Sequence, residues 1–312
     1  MPESCPMKKT SIGGQALIEG VMMRGPKKTA MAVRHVSGEI VTEEWENPST
    51  GRPGWLKWPF IRGVFNMVDS MKIGYKCLMR SAEQAGLEDD EGPKTEEQQK
   101  KESSLMNVLM VVAAVLGVAL ALVLFMYLPT QLVAWIGKVW EPATNQFLKS
   151  VFEGLMRIVI FLGYVVAVSQ MKDIRRVFMY HGAEHKSIFC YEKGLELTVD
   201  NVREQSRFHP RCGTSFLVLM LIVGIVFSIL IPIQQPVLRT AIKLLCLPLT
   251  VSVGYELIKL AGRKDNWFTR VISAPGLWVQ RITTKEPKDD MIECAITSLK
   301  AVIPENEDED RW

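Results

Sequence analysis

The chain has 312 residues, 23% of them charged, and a formal net charge of +3. So small a charge, well mixed with acids, argues against DNA or another nucleic acid as partner. Six cysteines, at positions 5, 77, 190, 212, 246 and 294, form no short-range pairs. A disulfide-stapled secreted domain is therefore not expected, and reduced thiols on a cytoplasmic face are.

Residues 1–10 lack the apolar stretch of a cleaved signal peptide, so insertion is expected to use internal hydrophobic segments. Residues 12–26 read IGGQALIEGVMMRGP, with one acid, Glu19, among apolar residues. Glu19 has the makings of a helix cap or solvent-facing residue, with a fourth ligand or base as the alternative. Residues 30–36 and 39–45 predict two short strands around a Ser37-Gly38 turn, which leaves His35 as a surface hairpin residue. From 55 to 85, aromatic and apolar residues recur at helical spacing with lysines and arginines between them. Such a helix lies in an anionic headgroup region or packs on the protein's own core. Residues 87–104, LEDDEGPKTEEQQKKESS, read as a disordered polar linker.

Four hydrophobic segments follow. Residues 105–128 carry no charge, and 24 residues of helix reach about 36 Å, enough to cross a hydrocarbon core of about 30 Å. Residues 151–169 open with Glu153 and Arg157, spaced to pair with each other at the interface. Residues 215–231 end at Pro232. Residues 237–260 carry Arg239 and Lys243 at one end and Glu256 and Lys259 at the other, predicting a snorkelling span with a re-entrant or interfacial helix as alternative. The connection 129–150 has two basic residues and the connection 170–213 has eight. The positive-inside rule then puts the second connection and both termini in the cytoplasm. No intramembrane acid and no matched pair of Gly/Pro-broken spans is apparent, which argues against a transporter. In the tail, Ala274-Pro275-Gly276 reads as a turn, 288–303 as a docking helix with Met291, Ile292, Ala295, Ile296, Leu299 and Val302 on one face, and 305–310 as a frayed acidic end.

The expected fold is therefore mainly α: a polytopic membrane protein with about four transmembrane helices, a small N-terminal unit containing a β-hairpin, and cytoplasmic helical extensions. Its expected divisions are an N-terminal cytoplasmic unit (1–86), a linker (87–104), a membrane domain (105–261) carrying the 170–213 loop, and a cytoplasmic tail (262–312). The lipid bilayer is its first partner, with membrane proteins or a second copy of the chain as further ones.

Three of the four histidines fall in the 170–213 loop. Continuing the second span as a helix through 192 puts Ile174, Val177, Phe178, His181, His185 and Ile188 on one face. Histidines at i and i+4 are suited to one Zn²⁺, and H-x-x-E-H is the inverted zincin order, with Glu184 as general base. The downstream acidic ligand of that class is not identifiable, and Gly182 weakens the helix by up to about 1 kcal/mol. His209 and Cys212, turned to one side by Pro210, offer a different completion: a closed His₃Cys set, or an open site from any three of the four. Headgroup or backbone contacts for the histidines and a core position for Cys212 are the alternatives. Arg24 and Arg211 have the geometry to bind phosphate or carboxylate, with surface ion pairing as the default.

The segments IGGQALIEGVMMRGP (12–26), YHGAEHK (180–186), LTVDNVREQSRFHPRCGTSF (197–216) and APGLWVQRITTKEP (274–287) resemble the YqhQ-like family of uncharacterised bacterial membrane proteins. The resemblance runs from about 11 to 303, apart from the acidic linker. Members are described as predicted metal-dependent enzymes, which implies His181, Glu184, His185, His209 and Cys212 as the site. The expected function is that of a zinc-binding membrane protein acting as a metal-dependent hydrolase at the cytoplasmic face. The competing expectation is a non-catalytic scaffold or assembly factor, a partner of the insertion machinery or ribosome, with a structural metal.

Overall fold

In the computed structural model, residues 8–47, 53–86, 96–139, 145–263, 266–306 and 309–310 are described. The chain begins with an antiparallel meander of β1 (Gly13–Leu17), β2 (Gly20–Arg24), β3 (Lys28–Arg34) and β4 (Ile40–Glu46), hydrogen-bonded in sequence order. The expected hairpin around Ser37-Gly38 is β3–β4, with Gly38 at φ 91°. The β1–β2 hairpin was not expected. Its turn is Ile18-Glu19, and Glu19 itself takes φ 52°. Four of the five β2 residues are buried, so the strand lacks the alternation of a half-exposed sheet.

Both faces of the sheet are covered. Leu17, Met22 and Met31 pack against Ile73, Cys77 and Leu78 of α1 (Ile61–Gln84). On the other face Val21, Met23 and Ala30 pack against α5 (Lys172–Glu192) and α11 (Asp289–Val302). The expected apolar face of the tail helix, Met291 to Val302, is this contact. α1 thus packs on the protein's own sheet, while Phe65, Met71 and Tyr75 on its other face are exposed.

The chain divides into two compact units: residues 1–87, 165–220 and 251–312 form one, and 88–164 with 221–250 the other. In the first lie also α6 (Val199–Arg203) and α10 (Trp267–Thr283). Ala274-Pro275-Gly276 is not a turn but part of α10. Gly276 is needed there because a Cβ would come within 2.5 Å of Ser215, where the helix passes close to the start of α7 (Gly213–Ile229). The acidic end is not frayed at Asp310, which is buried and bonds Lys8, Thr10 and Tyr191; an unpaired aspartate could not be buried so.

α2 (Glu96–Leu122) carries the polar stretch from Glu96 as helix into the first span, while 87–95 lie outside the described residues. Glu, Gln and Lys are good helix formers, and extending an existing helix costs far less than starting one. α2 continues through a π-turn at Val123–Tyr127 into α3 (Leu128–Ile136). Every side chain from 111 to 123 is exposed and apolar or glycine, a surface suited to lipid rather than water.

Among the described residues, two helices are long and apolar enough to cross a membrane: Val111–Ile136, and α4 (Gln146–Val168). The pair α8 (Pro236–Leu245) and α9 (Leu247–Arg263) passes only as a unit bent by 49°. α7 is apolar but has 17 residues, about 25 Å of helix and short of a hydrocarbon core. The expected four spans are therefore two to three by length and composition. The α8–α9 bend has a local cause: Pro248 lacks the N–H that would bond Leu244 and crowds that carbonyl.

Burial pushes the Asp310 carboxyl up, but Lys8, Thr10 and Tyr191 outweigh it and hold it below the usual aspartate range. Its contribution to stability is thus complete above the unfolded value of about 4 and is lost as pH falls through the lower folded one. Wild-type thermal stability is expected to fall on acidification below about pH 4 more steeply than that of Asp310→Asn, measured by melting in detergent.

Candidate metal centre

α5 runs along the sheet, and its register puts His181 and His185 one turn apart with ring centroids 4.4 Å from each other. Cys212 immediately precedes α7, and its Sγ lies 3.1 Å from His181 Nε2. Each imidazole is anchored through its other nitrogen: His181 Nδ1 is 2.9 Å from the Thr283 carbonyl and His185 Nδ1 is 2.6 Å from the Arg207 carbonyl. A backbone carbonyl only accepts, so both Nδ1 atoms carry a proton, and the Nε2 atoms are the ones left to face a metal. The ligand atoms of His181, His185 and Cys212 all lie within 4.8 Å of one another.

Burial raises the Cys212 thiol, but His181 and His185 more than reverse this and bring it well below its ordinary value. The Thr214 N–H, 3.4 Å from Sγ in the first turn of α7, favours the thiolate in the same sense. Burial works against a charged His181, yet Cys212 outweighs it and pushes the imidazole up to about 9. Glu184 is 5% exposed; burial raises its carboxyl against the opposing pull of His181 and His185, and the Gly14 N–H reaches it from β1. A Cβ on Gly14 would fall 2.9 Å from Glu184 Cγ, so only glycine lets β1 come this close.

The other expected residues lie elsewhere. His209 is buried, but its Nε2 faces Glu192 at 3.8 Å and Arg211 at 3.2 Å, outside the three-residue cluster. Gln280 fixes it there, accepting from the His209 N–H at 2.8 Å and donating to its carbonyl at 2.7 Å. Burial takes this imidazole down to about 4, so it is neutral. The turn at Pro210 thus separates His209 from Cys212 instead of aiming both to one side. Glu19 is neither ligand nor helix cap: at the β1–β2 turn it accepts two bonds from Arg176 and sits 3.3 Å from the Tyr180 hydroxyl. Arg211 forms a buried pair with Glu192 rather than a surface one, and exposed His35 bonds Ser37.

Sequence reasoning missed the supports. Thr283 and Arg207 act through backbone carbonyls, which no side-chain pattern reveals. Gln280 lies past Ala274-Pro275-Gly276 on α10, a helix that the turn reading of those three residues hides. Gly182 was the available signal. A Cβ there would lie 2.0 Å from the Lys285 carbonyl, so the glycine marks the passage of the 283–285 strand of chain over α5.

A thiolate and two Nε2 atoms, with orientation held from behind, form a three-donor set of the kind zinc sites use when a fourth position stays open. These residues fit such an ion.

Residues 58–305 match the family described as "Protein of unknown function (DUF1385)". The chain is 35% identical over 296 residues to "Uncharacterized protein YqhQ" of Bacillus subtilis (strain 168), covering 93% of this chain and 92% of that one. The chain belongs to this YqhQ-like family. No solved structure matches it.

Helix propensity alone would have Gly182→Ala stabilise α5 by up to about 1 kcal/mol. The contact with a backbone carbonyl that cannot swing aside predicts the opposite sign. A loss of about 1–3 kcal/mol is expected, read as a lowered melting temperature.

Proposed function

We propose that this protein is a multi-pass protein of the bacterial inner membrane, holding Zn²⁺ through His181, His185 and Cys212 on its cytoplasmic side and acting as a metal-dependent hydrolase. The observation that carries the reading is the convergence of three donors whose imidazoles are anchored through Nδ1 in an orientation suited to ligation. Bound zinc supplies Lewis acidity at neutral pH. Glu184 serves as general base: its burial raises its proton affinity toward the range such a group needs, and the Gly14 N–H orients it. His209 supports the site from outside, packing 5.5 Å from the His185 ring.

The packing of β1–β3, α5 and α11 in one unit favours a common side of the membrane for all three soluble pieces. An even number of crossings must then separate them. Two precede α5, and α7 with the bent pair α8–α9 either cross together or turn back together. The eight basic residues of 170–213 favour the cytoplasm for that side.

A structural metal in a membrane scaffold is the second reading. It draws on the way the centre ties α5 to Cys212 and, through Thr283, to the end of α10, so that binding energy would go into folding.

Purified protein is expected to carry about one zinc ion per chain, and His181→Ala/His185→Ala to carry none, measured by elemental analysis. Unchanged zinc in that double variant would refute the centre. Glu184→Gln separates the two readings: retained zinc with lost cellular function supports hydrolysis, whereas retained function supports a clamp.

A further inference from the structure

The second compact unit, made of apolar helices, contains a cluster of charge remote in sequence from the histidines. Lys149, Glu153 and Arg157 repeat every fourth residue along one face of α4, and Arg239 and Lys243 do the same on α8. All five are at most 7% exposed. The sequence spacing suggested a Glu153–Arg157 pair at the interface, but the partners are different. Arg239 and Lys243 both bond the fully buried Glu153 carboxylate, so this unit does hold a buried acid.

Most of the hydrogen-bonding capacity here is used. Arg239 also donates to the carbonyls of Ile231, Ile233 and Ser228 and to the Ser150 and Ser228 hydroxyls. Lys243 reaches Thr130, and Lys149 bonds Gln234. Arg157 Nε donates at 2.7 Å to the Phe125 carbonyl. That carbonyl lies in the π-turn, four residues before Pro129, which has no N–H to return to it. The guanidinium therefore caps a backbone acceptor that proline left without its helical donor.

Two things remain unanswered. Arg157 Nη2 is buried and has no hydrogen-bond partner. Arg157 is within Coulombic reach of Glu153, Arg239 and Lys243, yet among the described residues the four cations face Glu153 as their only carboxylate. Arginine stays protonated in proteins, so the excess charge at Arg157 is not removed by giving up a proton. In an apolar bundle an unbalanced charge is costly, and a counter-anion relieves it. Gly224 leaves the Arg157 guanidinium uncrowded on that side, since even a Cβ there would make only ordinary contact with Nη1, at 3.6 Å.

We propose that Arg157, with the Lys149–Arg239–Lys243 cations behind it, forms an anion site in the membrane unit that takes a phosphate group. A guanidinium with an unpartnered Nη2 and further cations nearby matches the charge and hydrogen-bonding need of phosphate oxygens. The phosphate belongs either to an anionic lipid headgroup or to a free ion. This site involves none of the metal-centre residues.

The test uses full-length, delipidated protein in a non-ionic detergent. Its melting temperature is recorded with inorganic phosphate, with phosphatidylglycerol, and with chloride at matched ionic strength. A rise of several degrees with phosphate or phosphatidylglycerol, absent with chloride and absent in Arg157→Gln, is the expected result. Whichever of the two raises it more identifies the source. Arg157→Lys, which keeps the charge and loses the fork, is expected to weaken binding about tenfold or more. It decides the matter should Arg157→Gln fail to fold. No rise in the wild-type protein, or an equal rise or unchanged affinity in the folded variant, overturns the proposal.

Discussion

Burial of a polar helix is the constraint on which the rest of this protein turns. Ten residues of α5 between Tyr180 and Glu192 are buried, among them Glu184, His185, Lys186 and Glu192. Each would be strongly destabilising without a partner, and each has one from a distant part of the chain. Gly14 serves Glu184 and the Arg207 carbonyl serves His185. Lys186 bonds the Arg203 carbonyl and Glu286, while Glu192 bonds the Thr10 N–H and Arg211. The N-terminal sheet, the 197–212 loop and the end of α10 are thus held around one helix by its polar groups. The apolar contacts with α11 and the sheet supply the area.

The same crowding explains the glycines. Gly14, Gly182 and Gly276 sit where other atoms leave no space for a Cβ, which would fall 2.7, 2.0 and 2.5 Å from its nearest neighbour. Gly182 is thus tolerated inside α5 despite its poor helix propensity because the chain leading to α11 lies directly against it. Without that approach the Thr283 carbonyl would not reach His181. Packing, hydrogen bonding and metal-site geometry here are one arrangement seen at three levels.

Charge is handled differently in the two units. Around α5 the ions pair off one to one, as with Glu19–Arg176, Glu192–Arg211 and Asp310–Lys8. Around α4 one carboxylate answers several cations, and backbone carbonyls freed by a proline and by the break after α7 take up much of the donor capacity. Polar groups within an apolar helical unit are commonly tied to function, and irregular backbone is tolerated there only where something satisfies it.

Periodicity and composition were enough to find the long apolar helices, the tail helix with its Met291–Val302 face, the β3–β4 hairpin, and the placing of His181 and His185 on one seam of α5. These follow from local rules, since helix and strand repeats are written in neighbouring residues. Tertiary contact decided what local pattern does not encode. It paired Glu153 with α8 rather than with Arg157, kept Ala274-Pro275-Gly276 helical, drew β1 and β2 into a sheet covered on both faces, and turned His209 toward Glu192 while leaving Cys212 beside the imidazoles. In each case the deciding partner lies beyond the reach of a local helix or strand repeat, 17 residues away for His209 and Glu192 and 86 for Glu153 and Arg239. The energy of satisfying a buried polar group depends on that partner and not on the spacing of its own neighbours.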